Sequence, residues 1–116
     1  MSWDYFTRDE FACHCGCGKN EIKDEIIDLC DALRKELKIP LIVNSGYRCP
    51  DHPIESAKPV PGKHTEGIAA DLKMPNGIKL REAIDIALLW EVGGIGVGKR
   101  YIHLDTRLTT PVMWGY

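Results

Sequence analysis

The 116-residue sequence has no long hydrophobic run and no excess of charge of one sign. No apolar stretch approaches the ~20 residues that a transmembrane helix needs, so we expect no membrane insertion. Lys and Arg number 15 against 17 Asp and Glu, which gives a formal net charge of −2. Surfaces that follow nucleic-acid phosphates normally carry a basic excess, so we expect no nucleic-acid partner.

The N-terminal segment from Met1 to Phe6 lacks the charged and apolar regions of a signal peptide. We therefore expect the chain to be made in the cytoplasm and to need another route if it acts outside the cell. A composition of 44% hydrophobic and 28% charged residues is typical of a folded globular protein. The length predicts a single domain over residues 1–116.

The five cysteines are odd in number, and three of them alternate along one segment: Cys13, Cys15 and Cys17, followed by Cys30 and Cys49. This spacing differs from the Cys-x-x-Cys of common zinc sites, and reduced thiols are the simplest interpretation in a chain without a secretory signal. A structural metal or a disulfide to Cys49 stays open. We expect His14 to be a solvent-exposed loop residue.

Apolar residues at helical spacing predict an amphipathic helix over residues 21–38, which Pro40 closes. The short β-branched run 41–44 predicts a buried strand. Residues 49–62 contain four of the seven prolines and predict an irregular loop.

The second half of the chain predicts three strands and one helix. Alternation of apolar and other residues predicts a strand over 68–74, and a helical pattern follows from Leu80 to Leu88. Residues 95–97 and 101–106 predict two strands joined in a hairpin. The expected fold class is α+β, with a small antiparallel sheet that carries a site on one face and helices on the other.

Alternation in the segment 101–105 places His103 on the face opposite the apolar residues. If this strand pairs with residues 68–74, Asp71 and His103 can project from the same side of the sheet, and His64 lies in the loop that enters it. Two imidazoles and one carboxylate are typical of a catalytic zinc site that leaves one position for water. From the residues alone, each side chain can equally be an ordinary polar residue.

Three motifs resemble the signatures of the zinc D-alanyl-D-alanine carboxypeptidase family, which includes phage endolysins and murein endopeptidases. They are Ser45–Pro50 (SGYRCP), His64–Asp71 (HTEGIAAD) and Ile102–Asp105 (IHLD), in the family's order. The similarity runs from about Phe11 to Trp114, and its His-x-Asp ending matches one branch of the family. It implies the family's α+β peptidase fold, a zinc cofactor and a peptidoglycan peptide substrate.

The resemblance assigns roles position by position. His64, Asp71 and His103 match the family's three zinc ligands. Arg48 matches the arginine that helps to bind substrate and to stabilise the oxyanion, a role that suits its permanent charge and planar donors. The alternative for Arg48 is a surface salt bridge or a contact that clamps the loop.

The chain departs from the better-known members where an acidic residue precedes the final histidine by three positions, because that position is Arg100. Asp105 is therefore the candidate base or the group that supports a ligand. Glu66 is the other carboxylate within reach of His64.

Four further residues concern the cleft rather than the metal. His52 belongs to the loop after the first motif and is expected to border the cleft without binding metal. Gly62 replaces a serine that relatives often carry. Tyr101 and Trp114 are candidate substrate-binding walls, although aromatic residues near a terminal strand are as often plain core.

The resulting hypothesis is a zinc peptidase that cleaves peptidoglycan stem peptides or cross-bridges, as a carboxypeptidase or an endopeptidase. The resemblance implies action on the cell wall after phage-type release or delivery. A second hypothesis is a zinc-binding module without catalysis, a wall-recognition or structural phage component, which Arg100 favours. A third is a cysteine-cluster zinc module in which His64 and His103 are merely structural.

Overall fold

A computed structural model describes residues 3–116 and shows an α+β fold, as predicted. The prediction of one domain over 1–116 includes residues 1 and 2, which lie outside this range. A 3₁₀ helix spans Arg8–Phe11. The helices are α1 (Asp24–Leu37), α2 (Pro53–Ser56) and α3 (Gly77–Leu89), and the strands are β1 (Ile42–Ser45), β2 (Ala69–Lys73), β3 (Gly94–Val97), β4 (Tyr101–Asp105) and β5 (Val112–Gly115).

The five strands form one sheet in the order β1-β2-β4-β3-β5. The pairs β1–β2, β2–β4 and β3–β4 are antiparallel, which confirms the predicted hairpin and the predicted pairing of β2 with β4. Sequence patterning missed β5, which pairs with β3 in parallel. Asp71 and His103 are direct Cα partners in the β2–β4 register.

The hydrophobic core lies on the face of the sheet that α1 and α3 cover. From the sheet, Leu72, Ile102 and Leu104 are almost fully buried there. Side chains alternate between the faces of a strand, so Asp71 and His103 project from the opposite face. The prediction of helices on one face and a site on the other is therefore confirmed.

Two predicted elements differ from the structure. Helix α1 begins at Asp24 instead of residue 21, because the backbone before it makes a hydrogen bond to another segment. The Lys23 amide donates to the Gly67 carbonyl at 2.8 Å. The strand predicted as buried, β1, lies at the sheet edge with Ile42 58% exposed. The β-branched run therefore predicted the strand correctly, but the prediction that this strand is buried was wrong.

The predicted irregular loop 49–62 contains the short helix α2. Helix α3 covers the predicted segment, and the Asn76 side chain caps it by accepting a hydrogen bond from the Lys79 amide at 2.9 Å. Leu88, expected on the apolar face of this helix, is 53% exposed. Within residues 3–116 no helix is both long and apolar enough to cross a membrane.

Candidate metal centre

Three potential metal-donor side chains meet on the open face of the sheet. Asp71 comes from the middle of β2, His103 comes from the position directly across on β4, and His64 comes from the loop before β2. Asp71 Oδ1 lies 3.0 Å from His103 Nδ1 and 3.3 Å from His64 Nε2. One donor atom from each residue thus falls within 4.8 Å of the other two.

The second nitrogen of each imidazole is already engaged. His64 Nδ1 lies 2.7 Å from the Gly46 carbonyl oxygen and must donate its hydrogen there. His103 Nε2 lies 2.8 Å from Asp105 Oδ2 and donates to this carboxylate. These tautomers leave His64 Nε2 and His103 Nδ1 with free lone pairs that point towards Asp71, as a metal requires.

Asp71 supplies a negative donor to this group. Burial opposes its ionisation, but in the metal-free chain, where the facing ring nitrogens can carry protons, hydrogen bonds from His103 and His64 hold the pKa of the carboxyl well below its usual range. Two neutral imidazole nitrogens and one carboxylate oxygen fit zinc, with the fourth tetrahedral position left for water or substrate.

Asp105 lies behind His103, on the side of the ring away from Asp71. Its side chain is fully buried and accepts from Arg107, whose Nε is 2.8 Å from Oδ1 and whose Nη2 is 2.7 Å from Oδ2. Burial opposes ionisation of Asp105, but the bonds from Arg107 and His103 hold its pKa far below its usual range. The placement matches a group that orients a metal ligand, while a role as base stays a prediction.

Arg48 lies beside the donors. Its Nη2 donates to Asp71 Oδ2 at 3.3 Å, its Nη1 donates to Glu55 Oε2 at 3.1 Å, and its Nε donates to Ser45 Oγ at 3.0 Å. Asp71 thus turns one oxygen towards the histidines and the other towards the guanidinium. Arg48 therefore forms salt bridges, but they are largely buried instead of lying on the surface, and one partner, Asp71, is itself a donor residue.

Glu55 is a site residue that the sequence analysis missed. Its side chain is fully buried at α2 and accepts from Arg48, from the Gly62 amide at 2.8 Å and from Lys58 at 2.9 Å. Burial opposes ionisation, but these hydrogen bonds outweigh it and lower the pKa of Glu55 to about 2. The proline-rich loop has no periodic pattern that could have marked Glu55 as buried. The only signal in the sequence was a carboxylate seven residues after Arg48, close enough to pair with it.

A cavity of about 490 Å³ lies over the donors and includes His64, Asp71 and His103 in its lining. Both predicted aromatic walls, Tyr101 and Trp114, line it.

The Trp114 ring lies 5.0 Å from the His103 ring, centroid to centroid. Tyr116, which the sequence analysis did not single out, adds a third aromatic wall. Its ring centroid lies 5.2 Å from the ring centroid of Tyr101.

The remaining candidates lie around this cavity. Glu66 lines it and pairs with Lys63 at 2.9 Å. His52 borders an adjoining cavity of about 300 Å³ and accepts the Ile54 amide at Nδ1. Arg100 is exposed on the hairpin turn and is not among the lining residues.

Comparison with known proteins gives one match. The family model described as peptidase M15 matches residues 4–105, which include all three donor residues. No significant match was found among curated proteins or among solved structures.

Proposed function

Because this family model covers most of its length, the chain belongs to the peptidase M15 family, and from that premise we propose that it is a zinc-dependent hydrolase of peptidoglycan peptides. The family points to a metallopeptidase with a peptide substrate. Zinc, the peptidoglycan substrate and the residue roles are our proposal. The observation that carries it is the convergence of His64, Asp71 and His103 beneath a cavity, with the second nitrogen of each histidine engaged.

The proposed zinc ligands are His64 Nε2, Asp71 Oδ1 and His103 Nδ1. When bound, zinc supplies Lewis-acid chemistry that polarises the scissile carbonyl and lowers the pKa of a water molecule towards ~7. Asp105 fixes the His103 tautomer and makes its ring a stronger donor. The Gly46 carbonyl does the same for His64.

Arg48 is the proposed anion-binding group. Glu55 and Ser45 hold its guanidinium in place, so little side-chain freedom is lost when it meets a substrate oxygen. A fixed positive charge next to the donors stabilises the negative oxygen that develops on the scissile carbonyl.

A carboxylate must accept the proton of the attacking water. Glu66 lines the cavity, whereas Asp105 lies behind His103 and reaches the site through that ring. We propose Asp105 as the group that holds His103 and retain Glu66 beside it as the alternative base. The position of Arg100 on the exposed turn removes it from direct proton transfer.

The cavity lining carries charges of both signs. Its four basic side chains, Arg48, Lys58, Lys63 and Arg107, are each ion-paired with a carboxylate from Glu55, Asp71, Glu66 or Asp105. The net charge of the cavity therefore does not select a substrate, and the proposal of a peptidoglycan peptide rests on the sequence motifs. Cleavage as a carboxypeptidase or as an endopeptidase both fit this cavity, and phage-type delivery to the wall stays a sequence-based prediction.

The test pairs elemental analysis with digestion of purified sacculi by wild type and Asp71→Ala. Asp85→Ala on the exposed side of α3 is the matched control. We expect wild type and the control to release peptides with new termini that identify the bond, and Asp71→Ala to lose zinc from this site together with the products. Zinc in this site with sacculi of several wall chemistries left intact would overturn the peptidase proposal and favour the non-catalytic module.

A further inference from the structure

A second group of potential metal donors lies outside the cavity, in the loops before α1 and after β1. The sulfur atoms of Cys13, Cys15, Cys17 and Cys49 all lie within 4.8 Å of one another. Cys15 Sγ is 3.4 Å from Cys13 Sγ and 3.2 Å from Cys49 Sγ. None of the five cysteines is in a disulfide, and Cys30 lies apart in the core.

These distances fit a tetrahedral zinc centre. Zn–S bonds of about 2.3 Å place the four sulfurs about 3.8 Å apart, close to the observed separations. A disulfide has sulfurs about 2.05 Å apart and joins only two of the four. Hydrophobic burial does not explain the cluster either, because Cys15 and Cys17 are exposed residues whose sulfurs nevertheless turn towards the other two.

The backbone of the 13–19 segment is shaped to gather its sulfurs. The Cys13 amide donates to the Lys19 carbonyl at 3.2 Å, which closes the segment into a loop. Gly16 and Gly18 have φ angles of 89° and 74°, in the left-handed region that other residues rarely adopt. Gly16, between Cys15 and Cys17, and Gly18, directly after Cys17, therefore permit a loop in which three alternating side chains reach one point.

Backbone amides also donate to two of the sulfurs. The Cys49 amide lies 3.4 Å from Cys13 Sγ, and the Lys19 amide lies 3.3 Å from Cys17 Sγ. Such bonds orient metal ligands and stabilise negative charge on sulfur, which a thiol in a plain core does not need.

We propose that Cys13, Cys15, Cys17 and Cys49 bind a second zinc ion, as thiolates that release their protons on binding. Four sulfur ligands complete the coordination shell, so this zinc is structural and has no position for substrate. His14 is exposed and stands outside the donor group.

The proposed zinc fastens the N-terminal loop to the segment that serves the first centre. Cys49 follows Arg48, which donates to Asp71. The link from Cys15 to Cys49 spans 34 residues, and closing such a loop restricts the unfolded chain. The second zinc therefore stabilises the fold, and through Cys49 it restrains the backbone next to Arg48.

The test uses cobalt in place of zinc, because thiolate ligands give a charge-transfer absorption that histidine and carboxylate ligands do not. We expect wild type to bind about two metal ions per chain and to show this absorption. Cys15→Ser/Cys17→Ser should bind about one ion and lose the absorption, whereas His64→Ala/His103→Ala should bind about one ion and keep it. Cys30→Ala, which removes the cysteine outside the cluster, should behave as wild type.

A readout on the unmutated chain keeps the test decisive if a variant does not fold. In wild type, bound zinc should protect the four cluster thiols from a thiol reagent until a chelator is added, whereas burial protects Cys30 with or without zinc. Reduced wild type that binds metal without thiolate absorption, or whose thiols react equally with and without zinc, would overturn the proposal. A metal-free chain with a disulfide from Cys15 to Cys49 would overturn it as well, whatever the result for peptidase activity.

Discussion

The two donor groups differ in the way the backbone positions them. Asp71 and His103 face each other across paired strands, so the register of the sheet sets their separation. The cysteine cluster (Cys13, Cys15, Cys17 and Cys49) lies on loops, where turns with positive φ bring the sulfurs together. The chain thus positions two donors of the first group by sheet geometry, with His64 added from a loop, and the four sulfurs of the second group by turn geometry.

The difference in construction accompanies a difference in chemistry. The first donor group, His64, Asp71 and His103, is called the sheet centre below. It offers three nitrogen and oxygen donors under a cavity, which leaves a position for a reacting molecule. The cysteine cluster offers four sulfurs and no free position. A rigid sheet suits a metal site whose geometry must be precise for catalysis. A structural metal site on loops has only to bring its ligands within bonding distance of the metal.

One short segment joins the two regions. The Gly46 carbonyl accepts from His64, Arg48 donates to Asp71, and the Cys49 amide donates to Cys13. Residues 46–49 therefore contact both donor groups in turn. Variants on either side of this segment show how far the centres depend on each other.

His103→Ala should separate the two regions most strongly. Loss of this donor removes a Lewis acid that contributes several kcal/mol, so we expect peptide hydrolysis to fall at least about 100-fold. Thiolate absorption of the cobalt protein should not change. His14→Ala, which replaces an exposed histidine within the cysteine segment, is the control and should keep both properties; loss of the absorption in His103→Ala would mean that the centres are not independent.

Asp105→Asn tests whether the sheet centre depends on the group behind its ligand. The amide cannot accept from His103 and Arg107 as the carboxylate does, so zinc affinity of the sheet centre should fall about 10- to 100-fold. A chelator competition measures this loss, with Asp85→Asn as the control. If hydrolysis falls while zinc affinity is unchanged, Asp105 is a base and not a positioning residue.

The sequence predicted the sheet centre better than the cysteine cluster for a physical reason. Strand alternation has a fixed period, so the face shared by Asp71 and His103 followed from pattern alone once β2 and β4 were paired. No period relates residues 13–17 to Cys49, because loops bring them together. The same limit hid Glu55, whose proline-rich segment has no regular spacing. Strand β5 was missed because its residues are mostly exposed and show no alternation of buried and exposed positions.

Cys49→Ser tests the segment that joins the two regions. We expect zinc to stay in the sheet centre, while hydrolysis falls about 2- to 30-fold, because the support behind Arg48 loosens by about 0.5–2 kcal/mol. The loss should appear in kcat/KM, since Arg48 is proposed both to bind substrate and to stabilise the negative oxygen that develops in the transition state. Cys30→Ala is the matched control, and unchanged kinetics in Cys49→Ser would show that the sheet centre does not need the cysteine cluster.

Glu55→Gln should act on the stability of the fold. Glu55 has its pKa lowered to about 2 from 4.5, so its ionised form stabilises the fold fully above about pH 4.5 and loses this contribution as the pH falls towards 2. We expect the variant to be less stable by roughly 1.5–3 kcal/mol at neutral pH, the magnitude of a hydrogen bond to a charged group. Urea unfolding of both metal-free proteins measures this difference. The difference in stability should shrink in acid, because wild-type Glu55 then becomes neutral like glutamine. A difference that does not vary with pH would show that the shape of the Glu55 side chain, and not its charge, holds Arg48 in place.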